Sequence, residues 1–141
     1  METKEKTVID IAATINAPVD KVWEYWTSPA HIVKWNSASP DWHTPRAEND
    51  LRVGGAFSSR MEAKDGSMGF DFGGVYDAVE KNKLIAYTIG DGRKVENHFS
   101  AKGNTTEINT SFEAEGMNPV EMQKGGWQAI LDNFKKYTEN N

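Results

Sequence analysis

The side chains of this chain with the most evident capacity for chemistry are three histidines and one carboxylate–imidazole pair. The pair is Asp41 and His43, which flank Trp42 in a stretch rich in Ser, Pro, Asp and Asn. A carboxylate and an imidazole beside an aromatic ring could serve as general acid and base. The alternative is that Asp41 and His43 are ordinary loop residues and that Trp42 anchors the loop.

The other two histidines, His31 and His98, do not form the regular ligand spacing of a zinc site with His43. The chain has no cysteine. It also lacks the nucleophile motif G-x-S-x-G, the P-loop and the dinucleotide motif G-x-G-x-x-G. These patterns predict no metal, no cofactor and no catalytic residue. His31 is expected on the surface of a short helix, in contact with solvent.

Charge and hydropathy exclude other classes of function. The net charge is −5, from 16 basic and 21 acidic side chains, without a block rich in Lys or Arg. This distribution disfavours nucleic-acid binding. No apolar stretch approaches the ~18 residues of a membrane span, and the charged start Met1–Lys6 is unlike a signal peptide. We therefore expect a cytoplasmic protein without a membrane span.

Aromatic residues are abundant, with five Trp, four Tyr and six Phe. Large flat side chains at this density either fill a core or line a pocket. Which of the two applies depends on the elements that position them.

Alternation of apolar residues over Thr7–Ile15 predicts a first strand. Proline suits the first turn of a helix, so helices are predicted to begin at Pro18 and, after a serine cap, at Pro29. The second of these short helices ends near Trp35. Residues 36–50 have no period and predict a loop.

A run of strands separated by turn residues follows, over 55–64, 68–79, 83–89, 94–101 and 105–115. In the second run, an inward Phe70, Phe72 and Tyr76 would leave Asp71 outside, which avoids burying a carboxylate. The glycine pair at 73–74 predicts a bulge, a bend or the close approach of another backbone. Asn97 is predicted to face inward as a polar group within an apolar lining.

The period then changes to that of a helix, predicted from Asn118 to Tyr137. Asn118 is a candidate cap, followed by proline and by Glu121. Its apolar stripe comprises Trp127, Ile130, Leu131, Phe134 and Tyr137.

This order predicts a single α+β domain over 1–141. A curved antiparallel sheet of about six strands would wrap around the long C-terminal helix, with two short helices after the first strand. Such a sheet does not close completely around one helix, so a cavity is expected between them.

Several motifs in this order carry a resemblance that covers nearly the whole chain. They are Ala17–Trp23, Trp26–Pro29, Trp35, Asp50–Phe57, Gly73–Tyr76, Gly126-Trp127, Leu131 and Tyr137. The chain resembles the Bet v 1-like (START-related) superfamily, and more narrowly the domain named for the activator of Hsp90 ATPase. The resemblance implies a helix-grip fold with an internal cavity. That superfamily includes carriers of lipids and other hydrophobic ligands, cyclases and other enzymes, and cochaperone domains, so the fold does not fix the function.

Three hypotheses follow. The first is a non-enzymatic protein, a monomer or weak homodimer, that binds a small apolar or amphipathic molecule. The second is an Hsp90-type cochaperone domain of the stress response, with a chaperone as partner. The third is a cyclase or hydrolase-like enzyme using Asp41, His43 or Tyr76. The predicted cavity lining comprises Trp26, Trp35, Trp42, Phe57, Phe70, Phe72, Tyr76, Asn97, Phe112, Met122, Trp127 and Leu131.

Overall fold

The computed structural model describes residues 7–37 and 39–141. The charged start Met1–Lys6 and one residue of the predicted loop, Ala38, lie outside them. In chain order the elements are β1 (Val8–Ile15), α1 (Val19–Thr27), α2 (Pro29–Trp35), β2 (Trp42–Asn49), β3 (Ala56–Ala63), β4 (Gly69–Glu80), β5 (Leu84–Ile89), β6 (Lys94–Lys102), β7 (Thr105–Glu113) and α3 (Val120–Asn140).

The strands form one antiparallel sheet in the order β1-β7-β6-β5-β4-β3-β2. The two short helices follow the first strand and α3 closes the chain, so the predicted α+β helix-grip architecture is confirmed. α3 packs on the sheet chiefly at β1. Of the helices in residues 7–37 and 39–141, none has the apolar length that a membrane span requires.

The sheet has seven strands because part of the predicted loop is a strand. Trp42–Asn49 pairs with β3, from Trp42 opposite Ala63 to Asn49 opposite Phe57. The prediction of a loop was wrong here because the register shifts between His43 and Arg46, next to Pro45. Proline and a bulge are tolerated on an edge strand, but they erase the alternation by which a strand is recognised.

The helix starts differ in detail from the prediction. α3 begins at Val120, and neither Ser28 nor the α3 start makes a side-chain capping bond. Gln123 instead ties the start of α3 to the preceding chain. Its amide nitrogen donates to the carbonyl oxygens of Asn118 (2.7 Å) and Glu115 (3.1 Å), and its amide oxygen accepts from the Glu115 N–H.

The predicted alternation of inner and outer faces is confirmed in β1, β6 and β7. In β6, Val95, Asn97 and Phe99 are buried while His98 is exposed. The inner faces of these strands and the stripe of α3 around Leu131 and Phe134 form one hydrophobic core.

The glycine pair of β4 permits close approach of both neighbouring strands. A Cβ on Gly73 would lie 2.5 Å from the Phe57 carbonyl oxygen, and one on Gly74 would lie 2.3 Å from the Thr88 carbonyl oxygen. The register shift of this strand lies further on, between Tyr76 and Ala78. Close approach is therefore the reason for the pair, and it brings β3, β4 and β5 together where the aromatic wall of the cavity stands.

Candidate functional site

A cavity of about 540 Å³ lies between the sheet and α3. Its wall contains residues from all seven described strands and from α1, α2 and α3. The lining residues predicted from the sequence and found there are Trp26, Trp35, Trp42, Phe57, Phe70, Phe72, Tyr76, Asn97, Trp127 and Leu131.

Two predicted lining residues lie elsewhere. Phe112 is buried behind the wall, where its ring stacks on Trp127 at 4.0 Å between centroids and 9° between planes. Met122 is 65% exposed. It precedes Trp127 by five positions, which turns it roughly 140° around the helix, away from the sheet.

Aromatic rings form the wall contributed by β3, β4 and β5. Phe57 contacts Tyr76 at 5.1 Å and Tyr87 at 4.7 Å between ring centroids. Phe72 reaches across to Trp127 of α3 at 6.1 Å. These rings make the centre of the cavity apolar.

Tyrosine hydroxyl groups lie within that wall. The Tyr76 hydroxyl donates to the side-chain oxygen of Asn49, and the Asn49 amide donates in turn to the Thr27 carbonyl oxygen. Burial raises the pKa of Tyr76, and it raises the pKa of Tyr87 to about 12. Both phenols therefore remain neutral hydrogen-bonding groups at neutral pH.

Asn97 is the buried amide of the lining. Its nitrogen donates to the Ile85 carbonyl oxygen at 3.2 Å, and its oxygen accepts from the Thr110 hydroxyl at 2.8 Å. The Tyr87 hydroxyl interacts with the same side chain. Asn97 is therefore a polar side chain within a mostly apolar lining, and its amide is already hydrogen-bonded to other groups of the protein.

Charged side chains among the lining residues are few. They are Glu48, Arg93 and Glu115. The Arg93 guanidinium is already bound by Asp91, with 2.7 Å between Nε and the carboxylate. No cationic side chain of the described lining is left unpaired.

The pair proposed for acid–base chemistry is not brought into the cavity. Asp41 and His43 are exposed and lie outside the lining, although Trp42 between them belongs to it. The His43 Nε2 lies 3.8 Å from a Glu62 carboxylate oxygen. Residues 7–37 and 39–141 contain no group of three or more His, Cys, Asp or Glu that could hold a metal.

His31 lies on a short helix and is partly exposed, but its ring also makes contacts that were not predicted from the sequence. Its ring stacks on Tyr25 at 3.9 Å between centroids, and its Nδ1 lies 2.7 Å from the Tyr137 hydroxyl. The reason is that the end of α3 passes beside α1 and α2, a contact between distant parts of the chain.

Two consecutive glycines, Gly125 and Gly126, lie within α3, which continues through them as a helix. Glycine in a helix interior costs about 1 kcal/mol relative to alanine. A Cβ on Gly125 or Gly126 would meet nothing within 4 Å, and neither has a positive φ. Gly126 lines the cavity and Gly125 does not.

Comparison with known proteins identifies the family of this chain. The family model of the activator of Hsp90 ATPase homolog 1-like proteins matches residues 16–139. The chain belongs to this family. The family is part of the Bet v 1-like superfamily, which confirms the resemblance seen in the sequence. No curated protein matches the chain.

Solved structures of similar proteins share the helix-grip fold of this chain. An AHSA1-like protein from Aeromonas hydrophila is 42% identical with a TM-score of 0.90, over 95% of this chain and 93% of that one. A Cytophaga hutchinsonii protein is 60% identical with a TM-score of 0.81, over 94% and 92%. A Chromobacterium violaceum protein, 22% identical with a TM-score of 0.85 over 96% and 99%, is similar in fold alone.

Some lining residues of this family member were not proposed from the sequence. The alternation along β3 predicts that Ser59 and Met61 face inward with Phe57, although they were not proposed as lining residues. Asn49 and Gln123 carried no such signal, because the first lies in the strand taken for a loop and the second is a polar residue in a helix.

Proposed function

We propose that this protein binds a small apolar or amphipathic molecule in the cavity between its sheet and α3. The observation that carries the proposal is the aromatic cavity of about 540 Å³. Ligand sites in proteins are concave, mostly apolar spaces of roughly 300–1,000 Å³ with a few fixed polar groups. The Asn97 group and the Tyr76 hydroxyl are polar groups of that kind.

The tryptophans provide a direct readout. Trp26, Trp35, Trp42 and Trp127 line the cavity, while Trp23 lies in the core. We expect the neutral dye N-phenyl-1-naphthylamine to bind with a saturable change in both dye and tryptophan fluorescence. Native mass spectrometry of the purified protein, with solvent extraction, would detect a ligand that copurifies.

A matched pair of variants on β4 distinguishes the cavity from the outer surface. Phe70 is 48% exposed and lines the cavity, whereas Val75 is 46% exposed on the opposite face of the same strand. Phe70→Ala is expected to weaken dye binding severalfold, because it removes part of the apolar wall. Val75→Ala is expected to leave it unchanged. Equal affinity in both variants, or no saturable binding to the wild type, would contradict the proposal.

A second candidate function is binding of a chaperone partner. One observation favours it: Met117 is 91% exposed and Met122 is 65% exposed, on either side of the half-exposed Val120 at the start of α3. Exposed apolar side chains in a group are typical of protein-binding surfaces. The name of the matching family is that of an activator of Hsp90 ATPase.

Binding to purified Hsp90 from the same organism, measured by calorimetry and by its rate of ATP hydrolysis, tests this second candidate. The double variant Met117→Ser, Met122→Ser should reduce binding without changing dye affinity. Absence of binding, or binding that survives both substitutions, would count against a partner surface at this position.

A further inference from the structure

Gly126 leaves a bare patch of helix backbone facing the cavity. Glycine stabilises a helix less than alanine does, so an interior glycine needs a compensating role. Neither close packing nor backbone conformation supplies one, since a Cβ would meet nothing within 4 Å and φ is not positive. What the missing side chain provides is room inside the cavity.

The wall near this patch is aromatic. The ring of Trp127, the next residue, lies 6.1 Å from that of Phe72 between centroids. It also stacks on the ring of Phe112, with 4.0 Å between centroids. The helix surface at Gly126 stays uncovered in this arrangement. A flat ring fits between bare backbone and aromatic rings better than a bulky branched group does.

Ser59 offers a hydroxyl group to the cavity. It is paired with Phe72 across β3 and β4, lines the cavity and is only 5% exposed. Its hydroxyl makes no hydrogen bond to another side chain or backbone group in the described ranges 7–37 and 39–141, and it is open to the cavity rather than enclosed. A hydroxyl in this position can donate to or accept from a ligand without breaking a hydrogen bond within the protein.

The surroundings favour an uncharged ligand. None of Ser59, Phe72, Gly126 and Trp127 is charged, and a charge without a counter-ion is strongly disfavoured in such a site. Elsewhere in the lining, Arg93 is paired with Asp91 and the other charged groups are carboxylates. An anionic ligand would therefore find no free cation.

We propose that Gly126 and Ser59 form a subsite for an uncharged, flat ring compound that carries a hydroxyl or carbonyl group. The ring lies on the backbone of α3 at Gly126, and the polar group hydrogen-bonds to the Ser59 hydroxyl. This inference rests on the proposed function and narrows the class of ligand.

The first test compares Gly126→Leu with the matched control Gly125→Leu. Both replace a helical glycine by a good helix former, but only Gly126 lines the cavity. Equilibrium dialysis with 2-naphthol is expected to show at least a tenfold loss of affinity in Gly126→Leu and none in Gly125→Leu. Urea unfolding of both variants verifies that they fold. Equal affinity in the two variants would overturn the subsite.

The second test compares three probes that share one ring system: naphthalene, 2-naphthol and 2-naphthoate. The wild type should bind 2-naphthol best and the anionic 2-naphthoate least. Ser59→Ala should lose roughly threefold to tenfold in affinity for 2-naphthol, the effect of one hydrogen bond, and nothing for naphthalene.

The outcomes separate the two claims. If naphthalene binds but Ser59→Ala and Gly126→Leu have no selective effect, the cavity is a binding site and the subsite is wrong. If 2-naphthoate binds best, the ligand class is wrong. If neither these probes nor N-phenyl-1-naphthylamine bind to the wild type, the proposed function fails together with the inference.

Discussion

The same ring types have different partners at the two ends of the molecule. The packed end is formed by Trp26, Trp35, Phe99 and Phe134. The ring centroid of Phe134 lies 4.9 Å from the ring centroid of each tryptophan, and Phe134 is fully buried. The open end is formed by Phe57, Phe70, Phe72 and Trp127. The ring centroid of Phe72 lies 6.1 Å from those of Phe57 and Trp127, and the Phe70 side chain is 48% exposed.

This difference separates rings that stabilise the fold from rings that line the cavity. A ring enclosed by others contributes its full burial and its edge-to-face contacts to stability. A ring beside a cavity has lost part of those contacts, which a ligand can restore. Trp26 and Trp35 belong to both, because they pack on Phe134 and also form an end wall of the cavity.

The largest effect is expected at the packed end. Phe134→Ala should lower the free energy of unfolding by about 3–5 kcal/mol, because it leaves a void among rings that cannot collapse into it. Urea unfolding followed by circular dichroism measures this. A loss below about 1 kcal/mol would mean that the packed end is not packed as described.

The same substitution at the open end should act on binding more than on stability. Phe72→Ala should cost only about 1–2 kcal/mol in unfolding, because one side of this ring already faces the cavity. Affinity for N-phenyl-1-naphthylamine should fall about tenfold, which corresponds to about 1.4 kcal/mol. Fluorescence titration provides the measurement, and a variant that unfolds as easily as Phe134→Ala would erase the distinction.

An unpaired buried hydroxyl near the end of α3 predicts a substitution that raises the free energy of unfolding instead of lowering it. The Thr138 side chain is fully buried, and its hydroxyl has no hydrogen-bond partner among the described residues. Thr138→Val keeps the shape and removes the unpaired hydroxyl, so stability should rise by about 1 kcal/mol. The midpoint of urea unfolding reports the change; a decrease would show that the hydroxyl has a partner after all.

The smallest effect concerns a polar tie beside the packed end. Glu139 accepts hydrogen bonds from the Lys135 ammonium at 2.6 Å and from the Asn16 backbone N–H at 2.7 Å. The Lys135 bond and then the Asn16 bond lower the pKa of Glu139. Because the folded pKa is lowered, this contribution is complete above the unfolded value of about 4.3 and disappears as pH falls through the folded one.

Glu139→Gln should therefore reduce the free energy of unfolding at pH 7 by about 0.5 kcal/mol, a small value because solvent screens the pair. The difference from the wild type should shrink as the pH falls below about 4. Unfolding curves at pH 7 and at pH 3 measure both quantities. A difference that stays constant over this range would exclude the ionised pair as its cause.

How far the sequence could predict the structure follows from how local each signal is. Alternation along β6 places Val95, Asn97 and Phe99 correctly, because the neighbours of a strand residue determine its face. β2 was missed because Pro45 and the register shift remove that alternation.

The distinction between packed and open rings could not be predicted. Phe134 meets Trp26 across 108 positions of sequence, and Phe72 meets Trp127 across 55. A stripe of aromatic residues shows which side faces inward, and not whether the space opposite is filled. Alternation along β3 predicts an inward Ser59, and the glycines of α3 suggest a ligand against the helix, but only the structure shows that both residues line one cavity.

The central claim is that the rings of the open end bind a ligand, whereas Phe99 and Phe134 of the packed end only stabilise the fold. Nuclear magnetic resonance tests this claim most directly. The ¹⁵N-labelled protein would be titrated with N-phenyl-1-naphthylamine while backbone amide signals are followed. The account predicts saturable shifts at Ser59, Phe72 and Gly126 and unchanged signals at Val22 and Thr138. Shifts confined to the exposed start of α3 around Met117 and Met122, or no saturable shifts at all, would contradict it.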